Sequence, residues 1–107
     1  MTATLEKVSF RLNPDASEAA FLEASDRLGD WVTRQKGFQY RTVVKAGERA
    51  YVDLVYWATA EDAEAAQKGF MEAPQSGPLL ALIDAESVEM AHLPQLQAQC
   101  ARVPEMA

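Results

Sequence analysis

The stretch AYVDLVYWATAEDAEAAQKGF, residues 50–70, decides the fold because its pattern changes half-way along. Its first part is rich in Val, Tyr and Trp, which favour an extended strand, predicted here over 49–58. Thr59 then offers a helix N-cap with Asp62 three positions later. Apolar residues follow at helical spacing: Ala63, Ala66, Phe70 and Met71. The segment therefore predicts a strand that leads directly into a helix, which Pro74 ends.

The residues upstream predict a longer helix. Asp15 is a candidate N-cap, Glu18 would complete a capping box, and the helix would span 16–36. Gly37 would end it in a left-handed conformation. One apolar stripe recurs at spacings of three and four: Ala20, Phe21, Ala24, Leu28, Trp31 and Val32.

Three further strands are predicted around these two helices. Residues 5–12 alternate between apolar and polar side chains, and 38–45 and 86–93 are also extended in pattern. A two-residue loop of Ala46 and Gly47 would join the second strand to the third. Pro78 could open a short helical piece, and Pro94 would end the last strand.

The order strand, helix, strand, strand, helix, strand is that of the α+β, ferredoxin-like β-α-β-β-α-β fold. We expect one domain over 1–93, with a four-stranded antiparallel sheet and both helices on one face, and a C-terminal tail over 94–107. The third strand is apolar on both of its faces. Because an apolar sheet face is costly in water, a second copy is expected to cover it in a homodimer, closing an α+β barrel.

Composition excludes several classes of partner and site. The 107-residue chain has a net charge of −6, which opposes binding to nucleic acid or anionic lipid. No apolar run approaches the roughly 20 residues of a membrane helix. The start MTATLEKVSF lacks the pattern of a secretory signal, so a cytoplasmic location is expected. The lone Cys100 and lone His92 predict no metal site, and no cofactor motif is present.

The segment YWATAEDAEAA, residues 56–66, resembles a motif of the dimeric α+β barrel superfamily, and within it the antibiotic biosynthesis monooxygenase-like domains. In those domains an aromatic–Trp pair ends a strand and Ser/Thr-x-Glu/Asp-Ala begins a helix. The matching residues here are Tyr56, Trp57, Thr59, Glu61, Asp62 and Ala63. Gly37 and Phe38 fit a Gly-Phe pair that often opens the second strand, and the resemblance covers about residues 5–93.

This resemblance implies a range of functions. The family includes cofactor-independent monooxygenases of phenols and quinols, haem-degrading enzymes, and members without an established activity. The haem degraders carry an Asn on the first strand and a Trp and a His on the second helix. Phe10 and Ala66 stand near the first two of those positions, and no His lies on the second helix, so haem degradation is disfavoured.

Asp53 and His92 are the candidate catalytic residues. Asp53 lies in the middle of an apolar strand, where a carboxylate must be paired or neutralised. One hypothesis is an ion pair or hydrogen bond with Arg11, Arg41 or Thr42 that holds the strands in register. The other is a base of raised pKa that takes a proton from a phenol. His92 could be a strand-end residue or an acid–base group.

Aromatic side chains are the candidate ligand contacts. Trp31 and Trp57 lie on apolar faces, where packing in the core is their ordinary role. Alternatively they stack on a small aromatic ligand in a cavity that other rings help to line: Phe10, Phe38, Tyr40, Tyr51 and Tyr56.

Three functions remain open from the sequence. The first is a cofactor-independent oxygenase acting on a small aromatic or quinol-type substrate. The second is a dimer without catalytic activity that binds a small molecule or has a structural role. The third is a small isomerase or lyase, which one acid and one histidine could serve.

Overall fold

A computed structural model describes residues 3–101 of the chain and confirms the α+β fold. The elements are β1 (Thr4–Arg11), α1 (Glu18–Val32), β2 (Phe38–Gly47), β3 (Ala50–Trp57), α2 (Ala60–Phe70), α3 (Ser76–Leu80), a 3₁₀ turn (Ala85–Ser87) and β4 (Glu89–Pro94). Neighbouring strands are antiparallel, in the order β2-β3-β1-β4. This is the ferredoxin-like arrangement that the sequence predicts.

The sheet has an inner face that packs against the helices and an outer face without cover from the described residues. Because side chains alternate along a strand, Phe10 of β1 and Val55 and Trp57 of β3 point inward, and all three are buried. They pack with the buried face of α1: Phe21, Ala24, Leu28 and Val32. Several outer-face residues are exposed, and Tyr40 exposes 59% of its surface.

Helix α1 is shorter at both ends than the sequence predicts. Ser17, not Asp15, is its N-cap, and the Ser17 hydroxyl accepts a hydrogen bond of 3.0 Å from the Ala20 N–H. A turn in which the Ala16 N–H bonds to the Asn13 carbonyl delays the helix start. At the other end the helix stops at Val32, and Gly37 adopts its positive φ of 83° only beyond an intervening turn.

The other helices and the last strand differ from prediction at their ends. The Thr59 cap of α2 is confirmed, because its hydroxyl accepts a hydrogen bond from the Asp62 N–H at 3.0 Å. Helix α2 ends at Phe70, and Met71, predicted to be buried, is 67% exposed. Ala20 of α1 is likewise exposed. Helix α3 begins two residues before Pro78, and the 3₁₀ turn delays the start of β4 to Glu89.

The hairpin between β2 and β3 corrects the predicted strand register. Its turn is formed by Glu48 and Arg49 rather than by Ala46 and Gly47, and Gly47 pairs with Ala50. Arg49 takes a left-handed conformation, with φ of 62°, which glycine ordinarily occupies in such turns. Contacts with other parts of the fold hold it there: its carbonyl accepts from the Leu12 N–H, and its guanidinium donates to the Ala16 carbonyl.

Candidate active site

A cavity of about 150 Å³ lies between the inner face of the sheet and the helices. Apolar and aromatic side chains form most of its wall, among them Phe10, Trp31, Val55, Trp57 and Phe70. Three ionisable side chains also line it, and each comes from a different strand: Glu6, Arg41 and Asp53. An apolar pocket with a few polar groups is the usual form of a small-molecule site.

The Asp53 carboxylate is held by Arg41. Arg41 Nη2 lies 2.8 Å from Asp53 Oδ2, and Arg41 Nε lies 3.1 Å from Oδ1. The two side chains are only 11% and 16% exposed, so this is a nearly buried ion pair. Arg41 also donates to the carbonyl and the hydroxyl of Ser25 on α1, at 3.0 and 2.9 Å. The pair therefore ties β2 and β3 to α1.

One of the partners predicted for Asp53 is thus observed, although not through the predicted pairing. In the register of the sheet Asp53 lies opposite Val43, and Arg41 reaches it diagonally along the inner face. The predicted loop would have placed Tyr40 and Thr42 on this face. The observed register places both on the outer face.

Glu6 is the second carboxylate of the cavity wall, and within residues 3–101 it has no cationic partner as close as that of Asp53. Its Oε1 accepts a hydrogen bond of 3.0 Å from the indole N–H of Trp57. Burial raises the pKa of the Glu6 carboxyl above its ordinary value, an effect that the Trp57 hydrogen bond and the nearby His92 partly oppose. A carboxylate of raised pKa in an apolar pocket is suited to proton transfer.

His92 lies directly across from Glu6 on the neighbouring strand β4. Its Nε2 is 3.9 Å from Glu6 Oε2, and the imidazole is 23% exposed. It does not line the cavity itself, whereas its neighbour Glu6 does.

The predicted aromatic residues divide into four groups, one of which is Phe38 alone. Its ring packs edge-on against Trp57, with 6.0 Å between the ring centroids, and does not line the cavity. Phe10, Trp31 and Trp57 line the cavity, and their contact with a ligand stays a prediction. Tyr51 is buried beside Phe10, and its hydroxyl donates a 2.6 Å hydrogen bond to the Glu18 carboxylate, which raises the pKa of the tyrosine. Tyr40 and Tyr56 contact each other on the outer face of the sheet, away from the cavity.

Glu6 is a cavity residue that the sequence pattern did not single out, although a signal for it is present. Glu6 is in phase with Val8 and Phe10, two residues apart along β1, and therefore lies on the same face. The apolar neighbour Leu5 obscures this signal, because it suggests that Leu5 rather than Glu6 faces the core, whereas Leu5 lies on the outer face of the sheet.

Comparison with known proteins supports the fold. No family model and no curated protein matches the chain. Among solved structures, it is similar to SnoaB, a cofactor-independent oxygenase from Streptomyces nogalater, at 20% identity and a TM-score of 0.75, over 92% of this chain and 97% of that one. The chain therefore shares the α+β, ferredoxin-like fold of SnoaB.

Two other structures with this fold are provisionally named antibiotic biosynthesis monooxygenases. The one from Bordetella bronchiseptica is 17% identical with a TM-score of 0.74, over 91% of this chain and all of that one. The one from Nitrosomonas europaea is 18% identical with a TM-score of 0.71, over 89% of this chain and 91% of that one. The resemblance stated from residues 56–66 is thus confirmed for the fold of the antibiotic biosynthesis monooxygenase-like proteins.

Proposed function

We propose that this protein is a cofactor-independent oxygenase whose substrate is a small, electron-rich phenol. The observation that carries the proposal is a carboxylate of raised pKa, Glu6, in the wall of an otherwise apolar and aromatic cavity. The shared fold with SnoaB, a cofactor-independent oxygenase, supports it. Glu6 takes the role of base rather than Asp53, because the oxygens of Asp53 are occupied by Arg41.

The size of the cavity favours a substrate with a single ring. A dry apolar cavity of about 150 Å³ is large enough to hold benzene, and this cavity has about that volume. Rings of Trp31, Trp57 and Phe10 supply faces and edges for stacking. A hydroxyl on the bound ring would be directed to Glu6 Oε2, because Trp57 is bonded to the other oxygen of that carboxylate and Arg41 to the Asp53 carboxylate.

The chemistry balances with dioxygen as the only co-substrate. Glu6 removes the phenolic proton, and the resulting phenolate transfers an electron to dioxygen. The ring radical and superoxide combine at a ring carbon that carries hydrogen, and the peroxide takes up the proton from Glu6. Loss of that ring C–H proton with cleavage of the O–O bond then forms a carbonyl and one water. The ring is oxidised, and both protons that it loses end in the water.

Oxygen uptake with benzene-1,4-diol, followed with an electrode and with ¹⁸O₂, tests this proposal. We expect wild-type protein to place one labelled oxygen atom in the product, and Glu6→Gln to lose at least about a hundredfold in kcat, the usual contribution of a general base. Glu89→Gln is the matched control, since Glu89 is an exposed carboxylate on β4 that points away from the cavity. Uptake without label in the product, or equal loss in both variants, would refute the oxygenase.

A second candidate is a protein that binds such a phenol without turnover. It is favoured by the polar groups of the cavity, since Asp53 is paired with Arg41 and Glu6 Oε1 is bonded to Trp57. The same experiment separates the two functions. Quenching of tryptophan fluorescence by the diol, without oxygen uptake, would indicate the binder.

We further propose that two copies pack through their outer sheet faces. That face presents large apolar side chains, and among them Tyr40, Val44 and Leu93 are 59%, 44% and 44% exposed. Covering it would remove this apolar area from water. We expect a dimer in sedimentation at micromolar concentration that Leu54→Glu, on the outer face, converts to a monomer. Leu22→Glu, at an exposed position of α1, is the control that should remain dimeric. A wild-type monomer would refute this proposal.

A further inference from the structure

The imidazole of His92 has a buried ring nitrogen without a partner. Within residues 3–101, Nε2 of His92 accepts or donates no hydrogen bond, although it is shielded from solvent. A buried polar atom in this state is costly and calls for an explanation. The nearest carboxylate oxygen is Oε2 of Glu6, at 3.9 Å, and this oxygen is the one that Trp57 does not use.

The sheet itself sets this arrangement. Glu6 and His92 are a directly opposed pair of the antiparallel strands β1 and β4, and both side chains point to the inner face. A displacement of about 1 Å would bring the two atoms to the length of a charge-assisted hydrogen bond. Trp57 fixes the other oxygen of the carboxylate from β3. Glu6 is thus held between an indole N–H and an imidazole nitrogen.

The exposure of the two side chains gives the pair a direction. Glu6 is 13% exposed and lines the cavity, whereas His92 is 23% exposed and lies outside it. The other charged groups of the cavity wall are Asp53 and Arg41, and these are bonded to each other. His92 is therefore the available proton acceptor for Glu6 among the described residues.

We infer that His92 is a positioning residue for Glu6. The His92 imidazole receives the substrate proton from the Glu6 carboxylic acid and later returns it. This inference rests on the proposed function of the cavity. In the first step the substrate O–H bond breaks and a proton moves through Glu6 Oε2 to His92 Nε2. The imidazolium then faces a restored carboxylate. When the peroxide forms, the proton travels back by the same two atoms, so neither residue changes overall.

The test is a carboxyl ¹³C NMR titration of Glu6 in wild-type protein and in His92→Gln, which keeps a hydrogen-bonding group that does not titrate. We expect the Glu6 midpoint to rise in the variant, because a neighbouring positive charge has been removed. An unchanged Glu6 titration would overturn the inference. Where His92→Gln does not fold, His92→Asn takes its place with the same expected rise, and an unchanged Glu6 titration would likewise overturn the inference.

Turnover supplies a second readout that separates the two proposals. With the diol as substrate, His92→Gln should lower kcat by up to about a hundredfold, the smallest usual contribution of an acid–base group, and leave KM unchanged, with a larger solvent isotope effect than the wild type. Coupled titration in a protein that consumes no oxygen would refute the oxygenase and support the pair. Normal kcat and isotope effect in His92→Gln would overturn the role of His92 and leave the oxygenase intact.

Discussion

Replacing Asp53 with Asn should destabilise the protein strongly, because it leaves the Arg41 guanidinium almost buried without its counter-charge. The two side chains are 16% and 11% exposed and are joined by contacts of 2.8 and 3.1 Å. Removal of one partner from a buried ion pair costs about 3–5 kcal/mol. Since Arg41 keeps its two bonds to Ser25, we expect the lower end, about 3 kcal/mol in the free energy of unfolding.

Urea unfolding at one protein concentration measures this loss, with the fluorescence of Trp31 and Trp57 as the signal. Thermal unfolding followed in the same way gives the change in Tm. In a domain of this size each kcal/mol lowers Tm by roughly 4–8 °C, so a loss of about 3 kcal/mol should make Asp53→Asn melt about 12–24 °C below the wild type. Glu23→Gln is the control. Its carboxylate pairs with Arg27 at 2.9 Å on the exposed face of α1, and its loss should cost less than about 0.5 kcal/mol.

Two results would refute this reasoning about Asp53. One is a loss of stability for Asp53→Asn as small as that for Glu23→Gln, because the Asp53 carboxylate would then not compensate a buried guanidinium charge. The other is a double variant Arg41→Met/Asp53→Leu that is no more stable than Asp53→Asn. Removing both charges should restore most of the stability, since the cost lies in the unpaired guanidinium rather than in the missing contact.

Three further predictions test other parts of the fold. The raised pKa of Glu6 means that the folded protein holds this proton more tightly than the unfolded chain, so stability is lost as the pH rises from the ordinary value of 4.5 through the folded pKa. The stability of Glu6→Gln relative to the wild type, measured by urea unfolding, should therefore be greater at about pH 8 than at about pH 4. Gly37→Ala combines a positive φ with a clash against the side chain that packs on it and should cost about 1–3 kcal/mol, whereas Gly77→Ala, in a helix with open space around it, should stabilise by about 0.5–1 kcal/mol in the same melts. Ser17→Ala should cost about 1 kcal/mol, and Asp15→Ala, which removes no cap, should cost far less; equal losses would contradict the observed start of α1.

The local pattern of the sequence determined the order of the elements. Periods of two and of three to four residues distinguish strands from helices, because they record which side of each element meets the core. The cap at Thr59 followed equally from local chemistry, since its hydroxyl satisfies an N–H only three residues away. The burial and pairing of Asp53 could also be anticipated, because a carboxylate in an apolar strand needs a partner.

Only the tertiary structure decided which partner Asp53 has and which residues meet in the cavity. The hairpin turn at Glu48 and Arg49 depends on bonds from Arg49 to distant parts of the chain, and no local preference predicts it. A register shift between Lys45 and Gly47, next to that turn, then directs Arg41 inward and Tyr40 outward. The pair of Glu6 and His92 likewise exists because β1 and β4, far apart in sequence, become neighbours in the sheet. Local pattern records burial, whereas contact between distant residues is a property of the assembled sheet.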